Sequence, residues 1–117
     1  MLVNFSSRAE LLMGMEPMTP AGKARAKGLL RGLDADGGTN IWDGLLKALT
    51  AVEERPCDLP ANIAVVLLTD GEPTTHKPEE ITLLLRARFT STPLDGTLHT
   101  VGYGYSLDSG MLTELGA

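Results

Sequence analysis

Apolar and polar positions change period along the chain, and each change marks an element. Leu2–Phe5 and Ala9–Met13 are short apolar-rich runs split by Ser6, Ser7 and Arg8, which predicts a β-hairpin. Pro17 and Pro20 in "EPMTPAG" then break the pattern before a helix. Over "PAGKARAKGLLRGL", the residues Ala21, Ala24, Gly28, Leu29 and Leu33 give a modest helical face, diluted by Gly22, Gly28 and Gly32. A firmer helix is predicted from Thr39 to Arg55. There Ile41, Leu45, Leu49 and Val52 recur at helical spacing, with Leu46 and Ala48 beside them. Glu53, Glu54 and Arg55 make its last turn polar, and Pro56 stops it.

"CDLPAN" reads as a loop, and Ile63–Leu68 as an unbroken, β-branched apolar run. Such a run predicts a strand buried on both faces of a parallel sheet. "TDGEPTTHKP" reads as a loop, and "PEEITLLLRARF" as a helix whose Glu79 and Glu80 suit the N-terminal dipole. "GTLHTVGYG" is expected as a last strand and "SLDSGMLTEL" as a last helix. This order predicts an α/β layer fold with parallel strands and right-handed crossovers, in one domain without a linker. In open sheets of this kind the site lies beyond the carboxyl ends of the strands. The loops there include "TDGEPTTHKP" and "GYSLDS".

Composition narrows the function classes. The 117 residues suffice for one domain, the hydrophobic share of 43% is ordinary for a globular chain, and the net charge is −5. With acids and bases mixed along the chain and few aromatic residues, no nucleic-acid or membrane partner is expected. The single cysteine, Cys57, leaves no internal disulfide, and the start "MLVNFSSRAE" does not read as a signal peptide. An intracellular, cytoplasmic setting is therefore the expectation. Both ends read as cuts through a domain: a strand begins directly after Met1, and "GMLTELGA" stops inside an amphipathic pattern.

Two residues carry candidate chemistry. Asp70 follows the buried strand and precedes Gly71, as either a turn aspartate or a carboxylate ligand. Thr39 precedes the firmer helix, as either its cap or an outward hydroxyl. Asn40 competes for the cap, because Asp43 three residues later resembles a capping box, and Gly37 and Gly38 allow close approach. A hydroxyl and a carboxylate are hard oxygen donors that suit Mg²⁺, Mn²⁺ or Ca²⁺ and not zinc. His76 is expected to face solvent and His99 to alternate in a strand, so neither is assigned a metal. The chain has no G-x-S-x-G elbow, Walker A loop or HExxH. "GYGYSL" puts Leu107 where a dinucleotide fingerprint needs its third glycine, so no enzyme is expected.

"FSSRAELLMGM", "GGTNIWDGLLKAL", "IAVVLLTDGEPT" and "HTVGYGYSLDSGMLTEL", in that order, resemble the von Willebrand factor A (VWA) domain. The similarity runs over residues 2–117, and the "GYGYSLDS" tail is similar to that of intracellular eukaryotic VWA proteins. The resemblance implies a Rossmann-like open sheet, mostly parallel with an antiparallel N-terminal hairpin edge and helices on both faces. It also implies a metal-ion-dependent adhesion site, with a threonine at the position of Thr39 and an aspartate at that of Asp70 as ligands. A protein partner's acidic side chain would complete the shell, so the implied activity is protein–protein interaction.

The chain departs from the family at two points, one of them the family's final strand, which is missing past Ala117. The family's Asp-x-Ser-x-Ser strand, which supplies the remaining ligands and lies centrally in the sheet, occurs nowhere here. The expectation is an incomplete VWA fold whose Mg²⁺, Mn²⁺ or Ca²⁺ site, served by Thr39 and Asp70 alone, binds weakly or not at all. Exposed strand edges make self-association a further expectation. The alternative is a metal-independent α/β scaffolding module in which Thr39 acts only as a helix cap.

Overall fold

A computed structural model describes residues 1–55, 62–91, 96–102 and 110. Among them the chain forms three helices, a small antiparallel sheet and a parallel sheet, the α/β pattern of an incomplete Rossmann-like fold. It divides into two compact units, Met1–Arg55 and Pro56–Ala117.

The first unit opens with the expected hairpin. Strands β1 (Leu2–Phe5) and β2 (Ala9–Met13) pair antiparallel, with Phe5 opposite Ala9, Asn4 opposite Glu10 and Val3 opposite Leu11. The register then shifts so that Leu2 faces Met13, and Leu12 is left without a partner opposite. The Ser6 N–H donates to the Arg8 carbonyl at 2.9 Å and closes the turn.

Helix α1 (Pro20–Arg31) starts where Thr19 Oγ1 accepts a hydrogen bond from the Gly22 N–H at 3.1 Å. Pro20 occupies the first turn, where its missing N–H costs nothing. Its buried side differs from the face predicted above. Gly22 is buried and Ala26 and Leu29 are half-buried, whereas Ala21, Ala24, Gly28 and Leu33 are exposed. The side chains of Ala21, Ala24 and Gly28 carry too little apolar area to orient a helix. The close approach of Gly22 to the Pro17 carbonyl, which leaves no room for a Cβ, sets the rotation instead.

Helix α2 (Ile41–Glu53) behaves as its pattern predicts. Ile41, Leu45, Ala48, Leu49 and Val52 are buried, and Leu46 is half-buried beside them. Burying each of the larger side chains is worth about 1.5–3 kcal/mol. The face packs against both strands of the hairpin. Gly44 is buried in the same face because Phe5 lies on it; an added Cβ would stand 2.8 Å from Phe5 Cδ1 and 2.9 Å from Cγ.

In the second unit, β3 (Ile63–Thr69) and β4 (Gly96–Gly102) pair in parallel, from Ile63 beside Gly96 to Thr69 beside Gly102. Helix α3 (Pro78–Ser91) is the connection that a parallel pair requires. At its start the Lys77 carbonyl accepts from the Glu80 and Ile81 N–H groups at 3.0 and 3.1 Å. Glu80 Oε2 reaches back to the Lys77 N–H at 3.0 Å, a carboxylate placed where the helix dipole favours it. Ile81 and Leu85 are its buried apolar residues.

β3 is not buried on both faces as predicted. Leu67 and Thr69 are buried, but Ala64, Val66 and Leu68 are exposed, Val66 by 63% and Leu68 by 54%. Among the described residues β3 has a strand on one edge only. An apolar run long enough for a central strand therefore stands at the edge of a two-stranded sheet. The predicted loop "CDLPAN" lies outside the described residues except for Asn62. The predicted last helix also lies outside them, except for Gly110.

The two interior helix glycines respond oppositely to alanine. Gly28 has nothing within 4 Å of its missing Cβ, so Gly28→Ala raises stability by about 0.5–1 kcal/mol through helix propensity. Gly44→Ala forces the Phe5 ring aside and lowers stability by about 1–3 kcal/mol, despite the same propensity gain. Urea unfolding of the two variants checks the contrast, and equal shifts would show that Phe5 does not rest on Gly44.

Candidate functional site

The candidate oxygen donors Thr39 and Asp70 belong to different units. In the first unit the loop before α2 meets the hairpin turn. Gly37 adopts φ of 70°, a backbone conformation open to glycine, with its missing Cβ only 2.8 Å from Ser7 Oγ. The next N–H, of Gly38, donates to Ser7 Oγ at 2.9 Å. The Asn40 N–H donates to the Ser6 carbonyl at 2.7 Å, and Asn40 Nδ2 donates to the Ser7 carbonyl at 3.2 Å. Main-chain and side-chain bonds thus hold Gly38 to Asn40 against Ser6 and Ser7.

The cap of α2 belongs to Asn40. Its Oδ1 accepts from the Asp43 N–H at 3.1 Å, filling one of the donors that a helix start leaves open. The reciprocal half of a capping box is redirected. Asp43 Oδ2 accepts from the Ala9 N–H at 2.6 Å, a charge-assisted bond from the first turn of α2 to the first residue of β2. Spacing alone anticipated Asp43 near the cap, but nothing in it pointed to Ala9. Thr39 is half-buried and makes an interaction of its own, without being the cap residue.

In the second unit Asp70 stands exposed just past the carboxyl end of β3. Before it, the buried Thr69 turns its hydroxyl to the chain, and Oγ1 accepts from the Gly71 N–H at 3.4 Å. His76 is half-buried, with Nδ1 3.3 Å from Thr75 Oγ1 in an exposed contact. His99 is exposed on β4, its Nε2 3.0 Å from Thr97 Oγ1.

Asn40 Oδ1 and Asp43 Oδ2 are taken by backbone N–H groups. Among the described residues no group of three or more His, Cys, Asp or Glu side chains could hold a metal ion. Among the described residues no helix is long and apolar enough to cross a membrane.

Comparison with known proteins gives one coherent similarity. The chain is 30% identical over 123 residues to inter-alpha-trypsin inhibitor heavy chain H1 of Mesocricetus auratus, matching 95% of this chain. It is 28% identical over 121 residues to inter-alpha-trypsin inhibitor heavy chain H4 of Bos taurus, matching 97% of this chain. The chain spans 13% of the length of each of these relatives. Those heavy chains contain VWA domains, so the similarity points to a VWA-like domain. No family model matches the chain, and no solved structure matches it.

Asp43 and Asn40 hold the first unit together in different ways, and substitution separates them. Asp43→Ala leaves the Ala9 N–H without its acceptor and lowers stability by about 1.5–3 kcal/mol, the range for bonds to charged groups. Asn40→Ala removes the cap and lowers it by about 1 kcal/mol or somewhat more. Chemical denaturation of both variants checks the order. An Asp43 effect of only a few tenths of a kcal/mol would show that its carboxylate does not anchor the hairpin.

Proposed function

We propose that this chain is a non-catalytic, VWA-like protein–protein interaction module in which Thr39 and Asp70 are remnants of a divalent-cation site. The observation that carries this reading is the similarity to VWA-containing proteins along 95% of the chain. The α/β architecture agrees with it, with Asp70 beyond the carboxyl end of a parallel strand and Thr39 directly before a capped helix. The assignment of the cap to Asn40 weighs against the alternative in which Thr39 serves only as a cap. In this reading Thr39 and Asp70 would offer Mg²⁺, Mn²⁺ or Ca²⁺ hard oxygen donors and leave it mostly hydrated. An acidic side chain of a protein partner would supply what this chain lacks. The single-edged, apolar β3 supports self-association as a second route to assembly.

Two measurements test the reading. Calorimetric titration of Mg²⁺ or Mn²⁺ into the chain is expected to show no saturable binding below millimolar concentration. Micromolar binding lost in Asp70→Asn would contradict the remnant claim, because these donors would then suffice. Panning a random peptide library against the immobilised chain is expected to converge on sequence families that compete in solution. Failure to converge on any sequence class would count against an interaction module.

A further inference from the structure

Helix α1 carries four of the chain's ten basic residues and no acid, in a protein whose net charge is −5. Arg25 alone among the four has an acidic partner among the described residues, Glu16 at 3.2 Å. Lys23, Lys27 and Arg31 are exposed and recur every four residues, so they line one stripe within about 80° of the helix surface. Like charges at this spacing repel and weaken a helix. Lys23 adds to the cost because it stands near the positive end of the helix dipole. Arg31, in the last turn, suits the dipole, but α1 has no acid to oppose the repulsion along the stripe.

The border of the stripe is apolar. Leu30 is 50% exposed between the basic stripe and the half-buried side of α1, and Leu33 is 36% exposed one turn on. A leucine edge beside three cations matches an amphipathic acidic segment, whose own leucines would cover it. Spacing agrees as well. The cations lie about 6 Å apart along the axis, the rise of four helical residues, so carboxylates at the same helical spacing oppose all three. Phosphate partners fit less well. α1 has no aromatic residue to stack on a base, and three cations fall short of the clusters that hold a net-negative chain to an anionic bilayer.

We infer that the Lys23–Lys27–Arg31 stripe with Leu30 is a docking surface for an acidic amphipathic helix of a protein partner. The inference rests on the reading of the chain as an interaction module, and names a surface distinct from Thr39 and Asp70. Library panning that converges on peptides without acidic residues would sink the inference and leave that reading intact.

The direct test is fluorescence anisotropy with a labelled helical peptide bearing three glutamates at four-residue spacing and a flanking leucine stripe. Its glutamine counterpart is the control. The glutamate peptide is expected to bind about tenfold or more tightly than the control, and to weaken as salt rises. Reversal of the stripe, K23E with K27E and R31E, is expected to remove that advantage. The milder set K23Q, K27Q and R31Q should give an intermediate loss, and R25E on the opposite side should change affinity less than about twofold. Unfolding midpoints of the variants confirm that they fold. Equal binding of the two peptides, no binding of either, or unchanged affinity after reversal would each overturn the proposal. Binding to vesicles containing phosphatidylserine or to a single-stranded oligonucleotide in place of the peptide would also overturn it, by assigning the stripe to phosphate.

Discussion

The first unit depends on one short contact, the Asp43 carboxylate on the Ala9 N–H at 2.6 Å. A helix lying on a two-stranded hairpin can slide or rotate on apolar contacts alone, because those are not directional. The carboxylate removes that freedom by tying the first turn of α2 to the first residue of β2. Phe5, opposite Ala9 in the hairpin, then falls on Gly44, the residue after Asp43. Polar anchor and aromatic contact are thus adjacent on both elements, and each fixes the register in which the other forms. The buried face of α2 follows from that register.

The same contact shapes the loop ahead of the helix. With Asp43 committed to the hairpin, Asn40 supplies the cap, and its N–H and side-chain amide bind Ser6 and Ser7 from above. Thr39 is held between this pair of bonds and the Gly38 N–H on Ser7 Oγ. The loop carrying Thr39 is therefore fixed to the hairpin turn, and the side-chain oxygens of Ser7, Asn40 and Asp43 serve the backbone.

How much of this was legible in the sequence varied with the physics involved. The hairpin, α2, α3 and the parallel strands were visible because their periodicities are local and strong. Ile41, Leu45, Leu49 and Val52 needed no tertiary information to be placed on one face. The buried side of α1 was not visible, because alanine and glycine carry little hydrophobic signal and a backbone contact at Gly22 decides the matter. The open face of β3 was missed for the opposite reason. Its apolar run specifies a covered strand, but cover comes from neighbours that strand composition cannot supply. At the candidate site the residue types and the competition for the cap were readable. The redirection of Asp43 to Ala9 joins residues 34 positions apart, and no local pattern encodes it.

The most direct measurement of this account is native-state hydrogen exchange of the Ala9 and Asn40 amides beside those of Leu45 and Leu49. If the Asp43 contact and the cap organise the unit, all four exchange through the same opening and share one free energy. Ala9 and Asn40 exchanging at the rate of open loops while α2 stays protected would contradict it. The helix would then rest on the hairpin by apolar packing alone, and the loop carrying Thr39 would have no fixed mount.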